Sequence, residues 1–142
     1  MKRTQISQLN KEYSSFDGKL VKVCGWARTI RDSKNIAFLE LNDGSFKGCQ
    51  VILEKDKVEN FSEIIKQITG SSFEIEGTVV LTPNAKQPFE INAQKVEISG
   101  KCDADYPMQK KGHTLEFMRE HADLRPRTNT FNAVFRIRST AA

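Results

Sequence analysis

The sequence predicts an all-β core, a five-stranded barrel with one helix between its strands, followed by a short helical C-terminal extension. Three observations carry this expectation. Five segments alternate apolar and polar residues with the period of two that a strand half-buried on one face requires. One segment, between the third and fourth of these, repeats its apolar residues at helical spacing. The first segment is long and has a glycine near its centre, where an interior strand bends or bulges and can pass from one sheet edge to another.

The elements follow in order. "LVKVCGWARTIR", residues 20–31, is rich in β-branched side chains and holds Gly25 at the expected bend. "NIAFLELNDGS" sends Ala37, Leu39 and Leu41 one way and Ile36, Phe38, Glu40 and Asn42 the other, then turns at "NDGS". "GCQVILEK" sets Cys49, Val51 and Leu53 against Gln50, Ile52 and Glu54. "VENFSEIIKQITG" places Val58, Phe61, Ile65 and Ile68 on one helical face, with Gly70 as the expected C-cap. "SFEIEGTVVLT" alternates Phe73, Ile75, Val79 and Leu81 against Glu74, Glu76, Thr78 and Val80. "TPNAKQP" is a loop, and "FEINAQKVEIS" is a fifth strand whose apolar parity slips between Ala93 and Val96, the mark of a bulge. Three strands, a helix and two strands, beginning with a long bent strand, is the order of an OB-fold barrel. A split α+β sheet is the competing architecture.

After Gly100 the alternation ends. A polar connector, "KCDADYPMQKKG", leads to "HTLEFMREHADL", a short helix with Leu115, Met118 and Ala122 on one side. Pro126 interrupts, and a last helix places Phe131, Val134 and Phe135 at i, i+3, i+4. Thr128, Asn129 or Thr130 caps its start, and no Gly, Asn or Pro stops it before Ala142. The expected organisation is therefore a barrel over residues 1–102 and a helical extension over 103–142, whose helices lack a visible core of their own.

Composition narrows the class. Residues 1–100 carry 14 Lys and Arg against 13 Asp and Glu, whereas residues 101–142 carry 8 against 5. The basic excess sits in the extension, where it can attract phosphate or serve as solvated surface. Cys24, Cys49 and Cys102 are odd in number and widely spaced, which fits free thiols in a reducing compartment. No apolar run approaches the ~20 residues of a membrane span, so no membrane is expected. "MKRTQISQLNKEYSSFDGK" lacks the apolar core of a signal peptide, and the expected location is cytoplasmic.

The candidate functional residues lie on the outward strand faces. Phe38 shares a face with Glu40 and Asn42, a position suited to stacking an unpaired base or to packing beneath a loop. Gln50 is outward on the next strand, where it is plain surface or offers an amide donor and acceptor to a pyrimidine edge. An amide free to flip serves uracil and cytosine alike, so a neighbour must pin it. Arg28 and Arg31 close the first strand and can hold flanking phosphates. Trp26, beside the bend, reads as a packing residue. His113 and His121 lie near Glu116 and Glu120, but eight residues apart and without the H-E-x-x-H spacing of a zinc helix, so no metal site is expected. No catalytic constellation is visible.

"VKVCGWARTIRDSKNIAFLELNDGSFKGCQVIL" resembles the anticodon-binding domain of class IIb aminoacyl-tRNA synthetases, the aspartyl, asparaginyl and lysyl group. The resemblance implies that Phe38 stacks on the anticodon, that Gln50 reads its middle uridine and that Arg31 is a third contact, beside Arg28, which its place on the first strand adds to the anticodon-binding set. "YPMQKKGHTLEFMREHADLRPRTNTFNAVFRIRS" is similar to the hinge and first catalytic-domain residues of asparaginyl-tRNA synthetases, with Lys110 and Lys111 implied at the tRNA backbone. Gly112 departs from the basic residue common there, and Asp123 from a common His. The implied partner is tRNA, through its anticodon stem-loop. The implied parent is a homodimeric ligase that activates asparagine with ATP and Mg²⁺. On the same resemblance the chain stops within the helix of motif 1 and lacks motifs 2 and 3, so it is expected to have no cofactor and no activity of its own. The alternatives are the anticodon domain of an aspartyl-type synthetase, a free single-strand nucleic-acid-binding OB module, and a protein-docking module using Phe38 and Ile52.

Overall fold

Strand β1, Leu20–Ser33, pairs with two different neighbours along its length. The structure, a computed structural model, describes residues 1–108 and 113–142. Residues 20–26 of β1 run antiparallel to β4 (Ser72–Leu81), and residues 26–33 run antiparallel to β2 (Ile36–Asn42). The exchange happens at Trp26, which stands opposite both Asn42 and Ser72. A Cβ on Gly25 would lie 2.2 Å from the carbonyl oxygen of Asn42, so only glycine lets the strand pass this point. The irregularity in pairing comes slightly later, between Ala27 and Thr29, and takes Arg28 out of the ladder.

Strand β3 (Cys49–Glu54) continues antiparallel to β2 and then meets β5 (Phe89–Gly100) in parallel through Val51 and Ile91. With β5 antiparallel to β4, the sheet closes in the order β1-β2-β3-β5-β4. The OB-type barrel read from the sequence is the observed one. Ala37, Leu39, Leu41, Val51, Leu53, Phe73, Ile75 and Val79 fill its interior as their parity demands. The bulge expected in β5 is present: Ala93 faces Gly77 and Lys95 faces Glu76, and Gln94 is left over between them.

Several local expectations are corrected. Strand parity points Asn42 and Ile52 outward, yet both are buried. Asn42 Oδ1 accepts from Gly44 N–H at 2.7 Å, which satisfies the buried amide oxygen inside the turn, and Ile52 stands at the seam opposite Asn92 of β5. A buried Ile52 leaves no apolar docking patch beside Phe38. The inter-strand helix α2 spans only Phe61–Ile64, and Ile64, rather than Ile65 or Ile68, joins Val58 and Phe61 in the core. Gly70 does not cap it. Gly70 donates its N–H to Ala27 O at 2.9 Å and adopts φ +101°, with Tyr106 and Cys102 packed where a Cβ would stand.

A further helix, α1 (Ile6–Lys11), precedes the barrel, where the sequence shows no helical pattern. Ile6 and Leu9 are fully buried and belong to the main core. Two apolar residues in a single turn are too faint a pattern to identify such a helix. Its leading N–H groups are satisfied from a distant loop: Ile6 donates to Asp43 Oδ2 and Ser7 to Ser45 Oγ, each at 3.0 Å.

The extension forms α3 (Leu115–Glu120), a 3-10 turn at Arg125–Arg127 and α4 (Asn129–Ala141), capped by Thr128, whose hydroxyl accepts from Phe131 N–H. It is less isolated than its sequence indicates. The Arg127 guanidinium lies 3.8 Å from the centre of the Trp26 ring, Arg28 Nη1 donates to Arg127 O at 2.9 Å, and Asn132 Nδ2 donates to Gly44 O at 3.1 Å. Met118 is buried, while Leu115, Val134 and Ile137 remain exposed. Among the described residues no helix is long and apolar enough to cross a membrane.

Since Trp26 is the only tryptophan, its fluorescence reports this docking. Arg127→Ala should shift Trp26 emission to longer wavelength by opening the ring to water. An unchanged emission maximum would mean that the extension does not cover Trp26 in solution.

Candidate nucleic-acid interface

Because β-strand side chains alternate, the outward residues of β1, β2 and β3 form rows across the barrel surface. Arg31 and Phe38 make one row, which ends at the buried Ile52, and Thr29, Glu40 and Gln50 make the next. Between them lies a cleft of ≈ 180 Å³, lined by Thr29, Arg31, Phe38, Leu39, Glu40, Gly48 and Gln50, with Gln87 reaching in from the β4–β5 loop. The barrel interior is packed with side chains, and the cleft lies on its outside.

Phe38 is half-buried in the cleft wall, with the Arg31 guanidinium carbon 5.8 Å from its ring centroid. The aromatic face and the cation are thus adjacent, as stacking a base beside its phosphate requires. Gln50 lies on the cleft floor. Its Nε2 donates to Glu90 Oε2 and its Oε1 accepts from Gln87 Nε2, both at 3.4 Å. Acidic Glu40 and Glu90 beside the amide make the floor a poor place for phosphate. They suit hydrogen-bond donors rather than an anion, whereas Arg31 beside Phe38 supplies a positive charge.

Phe38, Gln50 and Arg31 therefore come together as their parity indicates. Arg28 does not join them: lifted out of the ladder by the bulge, it turns to the extension and donates to Arg127 O. Lys110 and Lys111 lie outside the described residues. His113 stacks on Phe117 and His121 tilts against it, with ring centroids 4.8 and 4.6 Å away. Among the described residues no group of three or more His, Cys, Asp or Glu could hold a metal ion. Trp26 packs under Arg127, as expected of a packing residue.

Two neighbours of the cleft escaped sequence reasoning. Gln87 and Glu90 contact Gln50 from 37 and 40 residues away, and nothing in their local pattern marks them. Cys49, next to Gln50 in the chain, faces the core, and burial pushes its thiol up to about 12.

Residues 21–99 match the OB-fold nucleic acid binding domain family. Over its whole length the chain is 57% identical to the asparagine–tRNA ligase of Clostridium kluyveri and 50% identical to that of Bacillus cereus, in each case covering 31% of the ligase. The chain thus spans about a third of the length of these relatives. Among solved structures, asparaginyl-tRNA synthetase from Pyrococcus horikoshii, complexed with asparaginyl-adenylate, superposes with a TM-score of 0.82 at 23% identity. That match covers 99% of this chain and 32% of the other. Aspartyl-tRNA synthetase from Entamoeba histolytica gives 0.80 at 21% identity, over 98% of this chain and 35% of the other. At these identities the structural likeness speaks for the fold.

Proposed function

The chain belongs to the OB-fold nucleic acid binding domains, and from that premise we propose that it recognises the anticodon of tRNA on behalf of an asparagine–tRNA ligase. The observation that carries this reading is the convergence of Phe38, Gln50 and Arg31 on one outward cleft. The Phe38 ring stacks on an unpaired base. The Gln50 amide meets the pairing edge of that base with one donor and one acceptor. Arg31 neutralises the adjoining phosphate, whereas Arg28, held by the Arg127 carbonyl, is left to position the extension.

In this reading residues 1–102 are the recognition domain, and residues 103–142 are the hinge and the beginning of the catalytic domain. Lys110 and Lys111 follow the tRNA backbone. The parent enzyme acts as a homodimer in the cytoplasm, activates asparagine with ATP and Mg²⁺, and transfers it to tRNA. ATP and Mg²⁺ are held by the portion of the relatives' length that this chain does not span. The chain alone then binds RNA without forming an adenylate. Asparagine-dependent ATP–pyrophosphate exchange should stay at background, and any exchange above it would relocate the active site into this chain.

Phe38→Ala should weaken binding of an anticodon stem-loop by about 1–3 kcal/mol while preserving cooperative unfolding, because the packed interior is formed by the opposite strand face. Affinity equal to wild type would take the stacking role from Phe38. Gln50→Glu replaces the amide donor with a carboxylate oxygen that repels a uracil carbonyl. It should cost about 1–3 kcal/mol for a stem-loop with uridine in the middle position. Titrations with U and C stem-loops check this, and an unchanged preference would remove Gln50 from base reading.

A further inference from the structure

From Leu124 to Ala142 the chain holds four arginines and no Asp or Glu. Aromatic rings take the place of carboxylate partners. Arg125 lies over Phe131 and Phe135, Arg127 over Trp26, and Arg136 over Phe46 with its guanidinium carbon 5.6 Å from the ring centroid. Among the described residues the ion pairs are all made by lysines. The difference is chemical. A carboxylate would cancel the charge and occupy the N–H edge of a guanidinium. A ring beneath its flat face steadies the group and leaves that edge free to donate, which suits it to phosphate.

Of these three arginines, Arg125 and Arg127 are partly buried, whereas Arg136 and the Phe46 beneath it are exposed. The loop that carries Phe46 joins β2 to β3 and runs from the extension to the cleft. At one end Gly44 O accepts from Asn132 Nδ2, one helical turn before Arg136. At the other end Gly48 lines the cleft beside Glu40. Two residues span at most about 7 Å, so Phe46 stands close to the cleft's edge. Phe38 pairs with Ile52 and Leu41 with Cys49, which puts Gly48 at the end of the cleft away from Phe38. A ring bearing a guanidinium thus stands at each end: Phe38 with Arg31, and Phe46 with Arg136.

We propose that Arg136, seated on Phe46, grips the phosphate backbone of the RNA strand where it leaves the cleft. This rests on the anticodon reading above and adds the extension to the RNA-binding surface. Glu40 and Glu90 disfavour phosphate at the floor, so the phosphates on either side of a bound base are drawn to the two cationic ends. A contact of this kind positions the strand without reading its sequence. Phe46 acts through Arg136, as a positioning residue. Both side chains are exposed, so replacing them leaves the packed interior intact.

The test titrates an anticodon stem-loop with the chain at several salt concentrations and reads the slope of log affinity against log salt, which counts the phosphates neutralised. Arg136→Gln should flatten this slope by about 0.7–0.9, the worth of one phosphate. It should leave the ratio of affinities for U and C in the middle position unchanged. Lys95→Gln removes the same charge from an exposed side chain of β5 opposite Glu76, on strands that do not adjoin β2, and should leave the slope as it is. Phe46→Ala should weaken binding about two- to fivefold in the wild-type chain and no further in the Arg136→Gln chain. A slope unchanged by Arg136→Gln, an equal flattening by Lys95→Gln, or additive losses at positions 46 and 136 would each overturn this inference. The anticodon reading, which Phe38→Ala tests, would survive all three. A wild-type chain that does not bind the stem-loop would overturn both.

Discussion

Closing this barrel depends on one close approach, that of the Gly25 backbone to the carbonyl of Asn42. A single strand must pair with β4 over its first half and β2 over its second, and the exchange takes place at the next residue, Trp26. Any side chain at position 25 would hold the two ladders apart. The geometry beyond that point follows from it. Thr29 and Arg31 are carried alongside Glu40 and Phe38, and Arg28 is thrown out of register toward the extension. One turn of the strand thus creates both the cleft and the attachment of the helical tail.

The hairpin loop beside this crossing acts as the second organiser. Asn42 folds it by accepting from Gly44 N–H, Asp43 and Ser45 receive the N–H groups of α1, and Gly44 O receives the Asn132 amide from α4. Side-chain caps of this kind are worth about 0.5–2 kcal/mol each. Here they act between segments far apart in sequence, so they tie both ends of the chain to one corner of the barrel. Helix α1, only six residues long, could not persist without that help and the burial of Ile6 and Leu9.

The cleft combines an aromatic wall, a cationic rim and an amide floor bordered by carboxylates. Charge attraction alone would favour any phosphate chain without regard to sequence. The acidic border works against phosphate at the floor and favours a base edge, which is the division of labour found where backbone contacts position and base contacts specify.

How much of this is legible in the chain can be seen residue by residue. The alternation that buries Ala37, Leu39 and Leu41 and turns Phe38 outward repeats every two positions, so a few neighbours reveal it. The same holds for Gln50, for the bulge in β5 and for the Thr128 cap of α4. Other features depend on partners that no local pattern names. Asn42 and Ile52 are buried because of a turn and a seam, and α2 is a single turn that buries Ile64 beside Phe61. Arg28 leaves the cleft because the bulge aims it at Arg127, 99 residues away, and Gln87 enters it across a gap of 37. The sequence by itself therefore determined the strands, their inward faces and the aromatic and amide that look outward. Tertiary structure alone decided which cation and which hydrogen-bonding neighbours surround them, because side-chain parity is a local property of the backbone whereas company in space is set by closure of the barrel.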